Sequence, residues 1–372
     1  MATGFSRVPS VLTGSASLRD RTIRAAAEMR LVGQALVGRN QLIGYSRTHP
    51  VYQSVFEENP PLGFSYYRTP RWRPLRLFDN AAWRRIKLFH HDASTELPTL
   101  LPSTPLVVSC EGRPNGRFLR DDRFRHVFVH SRWAGGEFLS GDRVELLRLA
   151  PPLQPPRQPR HKSRDLVLLT VGLGGMVKGL DIAVRVYERL KKEFSMRLII
   201  AGAMAHNPQW YPEITRDGLE RARFEDLQRR IELDSRITLA QYSRRALLRH
   251  IYKRADIYLQ LSRMDTYPFA TLEAMSFGLP VVATRLNSIP EMVREAENGF
   301  LVDHAGIDMN SEEWAERAVN QTVAVLSPLL GDVALREKMG VASRDRLQTA
   351  FNIDYARSRL ASVYRGILGL DA

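Results

Sequence analysis

A chain of 372 residues exceeds what a single hydrophobic core usually supports, so two domains are expected. Its one cysteine, Cys110, excludes an internal disulfide framework and any multi-cysteine zinc site, and fits a reducing compartment. The net charge of +14 sits in one half, since residues 1–164 carry 26 Lys and Arg against 13 Asp and Glu, whereas residues 165–372 carry 28 against 27.

The basic half begins with an extension over residues 1–38, in which only Asp20 and Glu28 are acidic. Within it, 18–37 can form a basic helix with Ile23, Ala27 and Leu31 along one stripe, which suits a membrane-surface helix, a transit peptide or an inert tail, the last being the commonest case. The first ten residues lack a hydrophobic signal core, and no run in the chain approaches the roughly 18 apolar residues that span a bilayer. A cytoplasmic protein is the expectation, with peripheral attachment to an anionic membrane open through the basic half. A purely compositional origin of the arginines is the alternative. Nucleic acid is disfavoured as a partner, because no recognition helix or aromatic-interleaved basic strand is present.

From 39 to 152 the apolar runs at 41–46, 63–67, 86–89, 106–109 and 127–130 read as strands separated by short or poorly marked helices. This is a small, degenerate Rossmann-like domain. The stretch 153–164 has no apolar periodicity and carries three prolines from Pro155 to Pro159, so it reads as a linker. Strands and helices then alternate regularly from 165 to 350. Strands are expected at 166–171, 196–201, 237–240, 257–261, 280–283 and 299–302, and helices at 179–194, 219–232, 243–254, 271–277 and 289–295. Such alternation implies a parallel, doubly wound α/β sheet. A last helix, about 355–368, lies in the closing segment 351–372.

The segment Asp265-Thr-Tyr-Pro-Phe-Ala-Thr-Leu-Glu273 sets two carboxylates eight positions apart, one just after a strand and the other in the first turn of the next helix. In an open α/β sheet that crevice is where ligands bind. Backbone N–H groups of 266–270 at the helix start favour an anion there. An ordinary N-cap followed by a solvated glutamate is the alternative reading. Earlier, Val171-Gly-Leu-Gly-Gly-Met-Val-Lys178-Gly179 joins a strand to a helix, with glycines that admit a ligand and a lysine that can neutralise a diphosphate. A nicotinamide site is disfavoured: Gly172-Leu-Gly174 starts the fingerprint, but Val177 occupies its third glycine position and the strand ending at Gly202 lacks the ribose-binding acid.

These motifs resemble those of retaining GT-B glycosyltransferases of the E-x7-E type, in particular glycosyltransferase family 4. The resemblance covers about residues 165–365 and includes Arg236-Ile-Thr-Leu, Ala255-Asp-Ile-Tyr-Leu, Leu272-Glu-Ala-Met275, Pro280-Val-Val-Ala-Thr and Asn298-Gly-Phe-Leu-Val302 in the family's order. It implies two Rossmann-like domains facing a cleft, a basic N-terminal acceptor domain, and a C-terminal domain that binds a UDP- or GDP-linked sugar. Asp265 and Glu273 would be the catalytic pair, Asp265 facing the donor sugar and Glu273 the ribose. Gly172, Gly174 and Lys178 would hold the diphosphate, with Thr266, Tyr267, Pro268, Phe269 and Thr271 around it. Two departures stand out: Asp265 is one methylene shorter than the family's Glu, and Leu173 replaces the arginine that pairs with the diphosphate. Arg263 is the candidate to supply that charge.

On the acceptor side, Glu111 and Arg113 follow a strand that in the family often ends in His, and the loops carrying His49 and His90-His91-Asp92 leave other strands. No D-x-D sequence occurs, so a carboxylate-held metal has no obvious ligands, and neither metal nor cofactor is expected. The expectation is transfer of a sugar from a nucleotide-diphosphate sugar to a glycan, lipid or other acceptor, with retention. An inactive scaffold of the same fold and a nucleotide-sugar epimerase remain alternatives.

Overall fold

Short apolar runs closed by turn residues become the strands of two separate parallel sheets. The computed structural model describes residues 29, 32–33, 40–45, 60–67, 79–93, 104–155, 165–172, 175–202, 218–240 and 250–370. They divide into two units, Met1–Leu149 with Asn352–Ala372, and Ala150–Phe351.

Among the described residues, the first unit holds β1 (Gln41–Tyr45), β2 (Phe64–Tyr67), β3 (Leu88–Asp92), β4 (Leu106–Cys110), β5 (Phe124–Val129) and β6 (Val144–Leu146). Their order is β2-β1-β3-β4-β5-β6, with every pairing parallel. A parallel sheet is covered on both faces, which is why β3 and β4 are buried along their whole length. Phe89, Leu106, Val108, Phe124 and Val127 form the core, with Trp83 stacked on Phe89.

The apolar run 86–89 predicts a third strand that ends at Phe89, with His90-His91-Asp92 in a loop. The structure corrects this: all three residues lie inside β3 and are buried. His90 tolerates this burial because both of its ring nitrogens are partnered. His90 Nε2 bonds Ser109 Oγ at 2.7 Å and its Nδ1 bonds the Tyr364 hydroxyl, which in turn meets the Tyr66 hydroxyl at 2.6 Å. Tyr364 belongs to the helix Ile353–Leu368, started by the Asn352 side chain on the N–H groups of Asp354 and Tyr355. The same helix is fastened by Arg359, which grips Glu145 with two bonds of 2.7 and 2.8 Å, and by Arg357, which donates to the Pro60 carbonyl.

Burial, and then the fields of His130, His91 and His126, push His90 down to about 3, while burial outweighs the bond to the Leu147 carbonyl and pushes His130 down to about 4. The unfolded chain therefore binds protons on these imidazoles that the folded unit does not. Their contribution is complete above about pH 6.5 and falls with pH below it, by up to about 1.4 kcal/mol per pH unit for each histidine. Thermal melts between pH 7 and pH 4.5 should show this slope, and His90→Gln should flatten it. An unchanged slope in that variant would contradict the assignment.

The second unit holds β7 (Leu166–Val171), β8 (Met196–Ala201), β9 (Ile237–Ala240), β10 (Ile257–Gln260), β11 (Val281–Thr284) and β12 (Gly299–Val302) among the described residues. The order is β12-β11-β10-β7-β8-β9, again all parallel. Leu168, Leu198, Ile257, Leu259 and Val282 pack against Leu180, Val184 and Tyr187 of the helix Leu180–Leu190 and against Trp314 and Ala318 of the helix Glu312–Gly331. The helix expected at 243–254 falls mostly outside the described residues; at its end His250 and Ile251 are helical and lead into the 3₁₀ turn Tyr252–Arg254. No single helix among the described residues is long and apolar enough to cross a membrane.

Strand succession proceeds outward from β7 through β8 to β9, then restarts on the other side of β7 with β10. The two chains leaving the carboxyl ends of β7 and β10 therefore separate at this point and leave a crevice. Both motif segments of the sequence begin there.

Candidate functional site

β7 ends at Val171, and Gly172 continues its register by donating to the Ala201 carbonyl at 3.0 Å. A side chain on Gly202 would put its Cβ 1.8 Å from the Gly172 carbonyl oxygen, so the two chains approach only because that residue is glycine. After the 3₁₀ turn Gly175–Lys178, Gly179 takes φ of 69° and any Cβ there would lie 1.9 Å from the Leu261 carbonyl. The Lys178-Gly179 pair is thus wedged against the chain leaving β10, and the lysine side chain is only 17% exposed. Leu173 and Gly174 lie outside the described residues.

The second segment supplies the lysine's partner. Lys178 Nζ sits 2.8 Å from Asp265 Oδ2 and 3.3 Å from the Met264 carbonyl. Gln260, the last residue of β10, donates its Nε2 to the same Asp265 oxygen at 3.0 Å and to Ser262 Oγ at 2.7 Å. Its Oε1 accepts from the Tyr258 hydroxyl at 2.7 Å and from Thr271. A buried amide with both ends engaged is locked in one orientation and passes that orientation on to Asp265. Asn287 and Ser288 clamp the backbone beyond, through the carbonyls of Asp265 and Thr266 at 2.7 and 2.6 Å.

The helix Phe269–Ser276 starts at Pro268, whose missing N–H and fixed φ suit a helix start, and no side chain caps it. Glu273 points inward, 4% exposed, and accepts from the Tyr252 hydroxyl at 2.9 Å; the Tyr252 ring stacks on Phe277. Burial raises the Tyr258 phenol well above its ordinary range, and the carboxylates of Asp265 and Glu273 add to the effect. One phenol therefore feels both acids, which face the same interior at the end of β10. Tyr267, Pro268, Phe269 and Thr271 are buried, so their side chains pack the loop and only their backbone remains for a ligand. Thr266 is partly exposed.

Arg263 does not stand where the sequence reading placed it. Its guanidinium is 5% exposed and bidentate to Asp181 at 2.7 Å on both arms; it also donates to the carbonyls of Met176 and Met309 and lies over the Trp314 ring. Those bonds absorb the fork, so Arg263 ties the lysine turn to the chain leaving β10 and does not replace the arginine absent at Leu173.

In the first unit, Cys110 closes β4 and is buried; burial, then Asp92, raise its thiol to about 12. Glu111 and Arg113 follow it on the loop, partly exposed and exposed respectively. His49 lies outside the described residues. Among the described residues no group of three His, Cys, Asp or Glu side chains could hold a metal ion.

Sequence reasoning missed Gln260, Tyr252, Asp181 and Trp314. Only Gln260 left a signal, as the one polar residue closing the apolar run Ile257-Tyr-Leu-Gln260.

Residues 155–318 match the family model of glycosyl transferases group 1. The chain is 31% identical over 215 residues to a D-inositol 3-phosphate glycosyltransferase of Corynebacterium diphtheriae, an alignment covering 55% of this chain and 43% of that protein. It is 24% identical over 214 residues to an uncharacterized glycosyltransferase of Haemophilus influenzae, covering 57% and 52%. The matched region thus spans about half the length of these curated relatives. Among solved structures, a glycosyltransferase from Rickettsia africae superposes with a TM-score of 0.59 at 14% identity, covering 95% of this chain and 96% of that one. The Anabaena HepE protein, crystallised with UDP and glucose, superposes with 0.61 at 13% identity, covering 91% and 96%. Residues 155–318 thus carry a group 1 glycosyl transferase domain, of the glycosyltransferase family 4 type, and the chain's two parallel six-stranded sheets have the GT-B-like two-domain architecture.

Proposed function

We propose that the protein is a glycosyltransferase that moves a sugar from a nucleotide-diphosphate sugar to an acceptor. The observation that carries this reading is the placement of Lys178, Asp265 and Glu273 at the one point where the second sheet reverses its strand order. The match of residues 155–318 to the glycosyl transferase family and the UDP in the HepE crystal support it from outside the chain.

In this reading the diphosphate lies against Lys178 and the start of the helix Phe269–Ser276, Glu273 receives the ribose hydroxyls and Asp265 the sugar hydroxyls. Departure of the nucleoside diphosphate builds negative charge, and a cation and helix dipole already in place stabilise that charge more than the ground state. The resemblance to the E-x7-E enzymes implies retention at the anomeric carbon. The basic composition of the first half suits an anionic acceptor, a glycan or lipid carrying phosphate. Attachment to an anionic membrane is part of the same proposal.

Release of UDP or GDP from nucleotide sugars by the purified protein tests the reading. Glu273→Gln keeps the shape and the Tyr252 contact but removes the charge, and should weaken donor binding about tenfold to a hundredfold, the worth of a charge-assisted hydrogen bond. Calorimetry with UDP- and GDP-sugars reads this, and undiminished affinity would remove Glu273 from the site.

A non-catalytic scaffold is the second reading, favoured by Leu173 at the arginine position together with the burial of Arg263 in a structural pair. It expects no saturable nucleotide-sugar binding at all.

A further inference from the structure

Asp265 is engaged more heavily than a sugar-holding carboxylate requires. Its Oδ2 takes both the Lys178 ammonium at 2.8 Å and the Gln260 amide at 3.0 Å, while Oδ1 accepts no hydrogen bond from a described residue. The ion pair is mostly enclosed, with the two side chains 17% and 13% exposed, so water screens it weakly. The loop bearing the carboxylate is held by Asn287 and Ser288, which stops Asp265 from following Lys178 if the lysine moves.

We propose that Asp265 competes with the diphosphate for Lys178 and thereby discriminates against the spent nucleoside diphosphate, favouring its departure after transfer. This rests on the nucleotide-sugar reading above. When the donor binds, Lys178 is drawn towards the phosphates and Asp265 loses part of its counter-charge. A sugar hydroxyl donating to Oδ1 offsets that loss. Transfer breaks the bond between the anomeric carbon and the β-phosphate oxygen, with the electron pair left on that oxygen; a new bond joins the anomeric carbon to the acceptor oxygen, whose hydroxyl proton ends in solvent. The product now carries one more negative charge than the donor and no sugar hydroxyl. Asp265 then faces a more highly charged anion, shares its lysine with it, and receives nothing in return. Like charges brought together in an enclosed site repel strongly.

The sign of the effect separates this from a carboxylate that merely contacts sugar. Calorimetric titration of the full chain with UDP and with GDP should show Asp265→Asn binding the nucleotide that the unsubstituted protein binds about tenfold more tightly, because the competitor for Lys178 has gone. Asp265→Ser removes the same charge and should behave likewise, which keeps the test open should the amide variant fail to fold. Affinity equal to or weaker than that of the unsubstituted protein in the folded variants overturns this inference and leaves the enzymatic reading standing. If the unsubstituted protein binds neither nucleotide, the enzymatic reading fails and this inference falls with it.

Discussion

Lys178→Gln is expected to lower sugar-transfer turnover by about 100- to 1,000-fold, the usual cost of removing one preorganised donor aimed at developing charge. In the proposed reading the lysine is held beside the diphosphate. It extends from a turn closed by Gly179, whose left-handed backbone and contact with the Leu261 carbonyl permit no side chain. Gly172 leaves room for it to lie flat, since a Cβ at that position would come within 3.2 Å of its Cγ. With Leu173 in place of the family arginine and Arg263 committed elsewhere, the proposed site would leave Lys178 with more of the phosphate charge than a site with two cations would. Glutamine is one atom shorter but retains a hydrogen-bond donor, so a loss of this size reports chiefly charge. Release of nucleoside diphosphate under donor saturation measures it. Turnover near the unsubstituted level would mean that some other group neutralises the leaving diphosphate.

Arg263→Met should destabilise the second unit by about 3–5 kcal/mol, because it strands the Asp181 carboxylate without its cation in a mostly buried position. The double variant Arg263→Met with Asp181→Leu should recover a large part of that loss, since removing both charges avoids the desolvation penalty that neither then has to meet. Urea titration followed by tryptophan fluorescence is well placed to read the difference, because Trp314 lies against the Arg263 guanidinium. A double variant as unstable as the single one would show that the lost packing of the arginine over Trp314 outweighs the stranded charge.

The two expected effects live on different links of the same chain of cause. Arg263 reaches the carbonyl of Met176 and, through its own backbone N–H, that of Val177. It therefore positions the turn whose last residue is Lys178, so part of any change in donor binding caused by Arg263→Met is expected to arise indirectly, through the lysine.

The sequence alone carried the alternation of strands and helices in the second half, because each strand is an apolar run too short for a helix and each helix places its apolar residues at helical spacing. The strands at 237–240 and 299–302 appear with the boundaries read for them. The carboxylate spacing and the Lys178-Gly179 turn were equally legible, since both are local: strand, turn and helix start follow one another within a dozen residues. What the sequence could not decide was partnership. In the sequence Arg263 has no visible anion because its partner, Asp181, lies 82 positions away, and only the sheet's switch of direction brings them together. Nothing near His90 in the sequence predicts its burial, because the hydroxyl that makes it tolerable comes from Tyr364, 274 positions further on. Local pattern follows from backbone geometry and side-chain polarity, which neighbouring residues set; whether a charged or polar group faces a ligand or a distant part of its own chain depends on which segments the topology makes adjacent, and that is settled only when the sheets close.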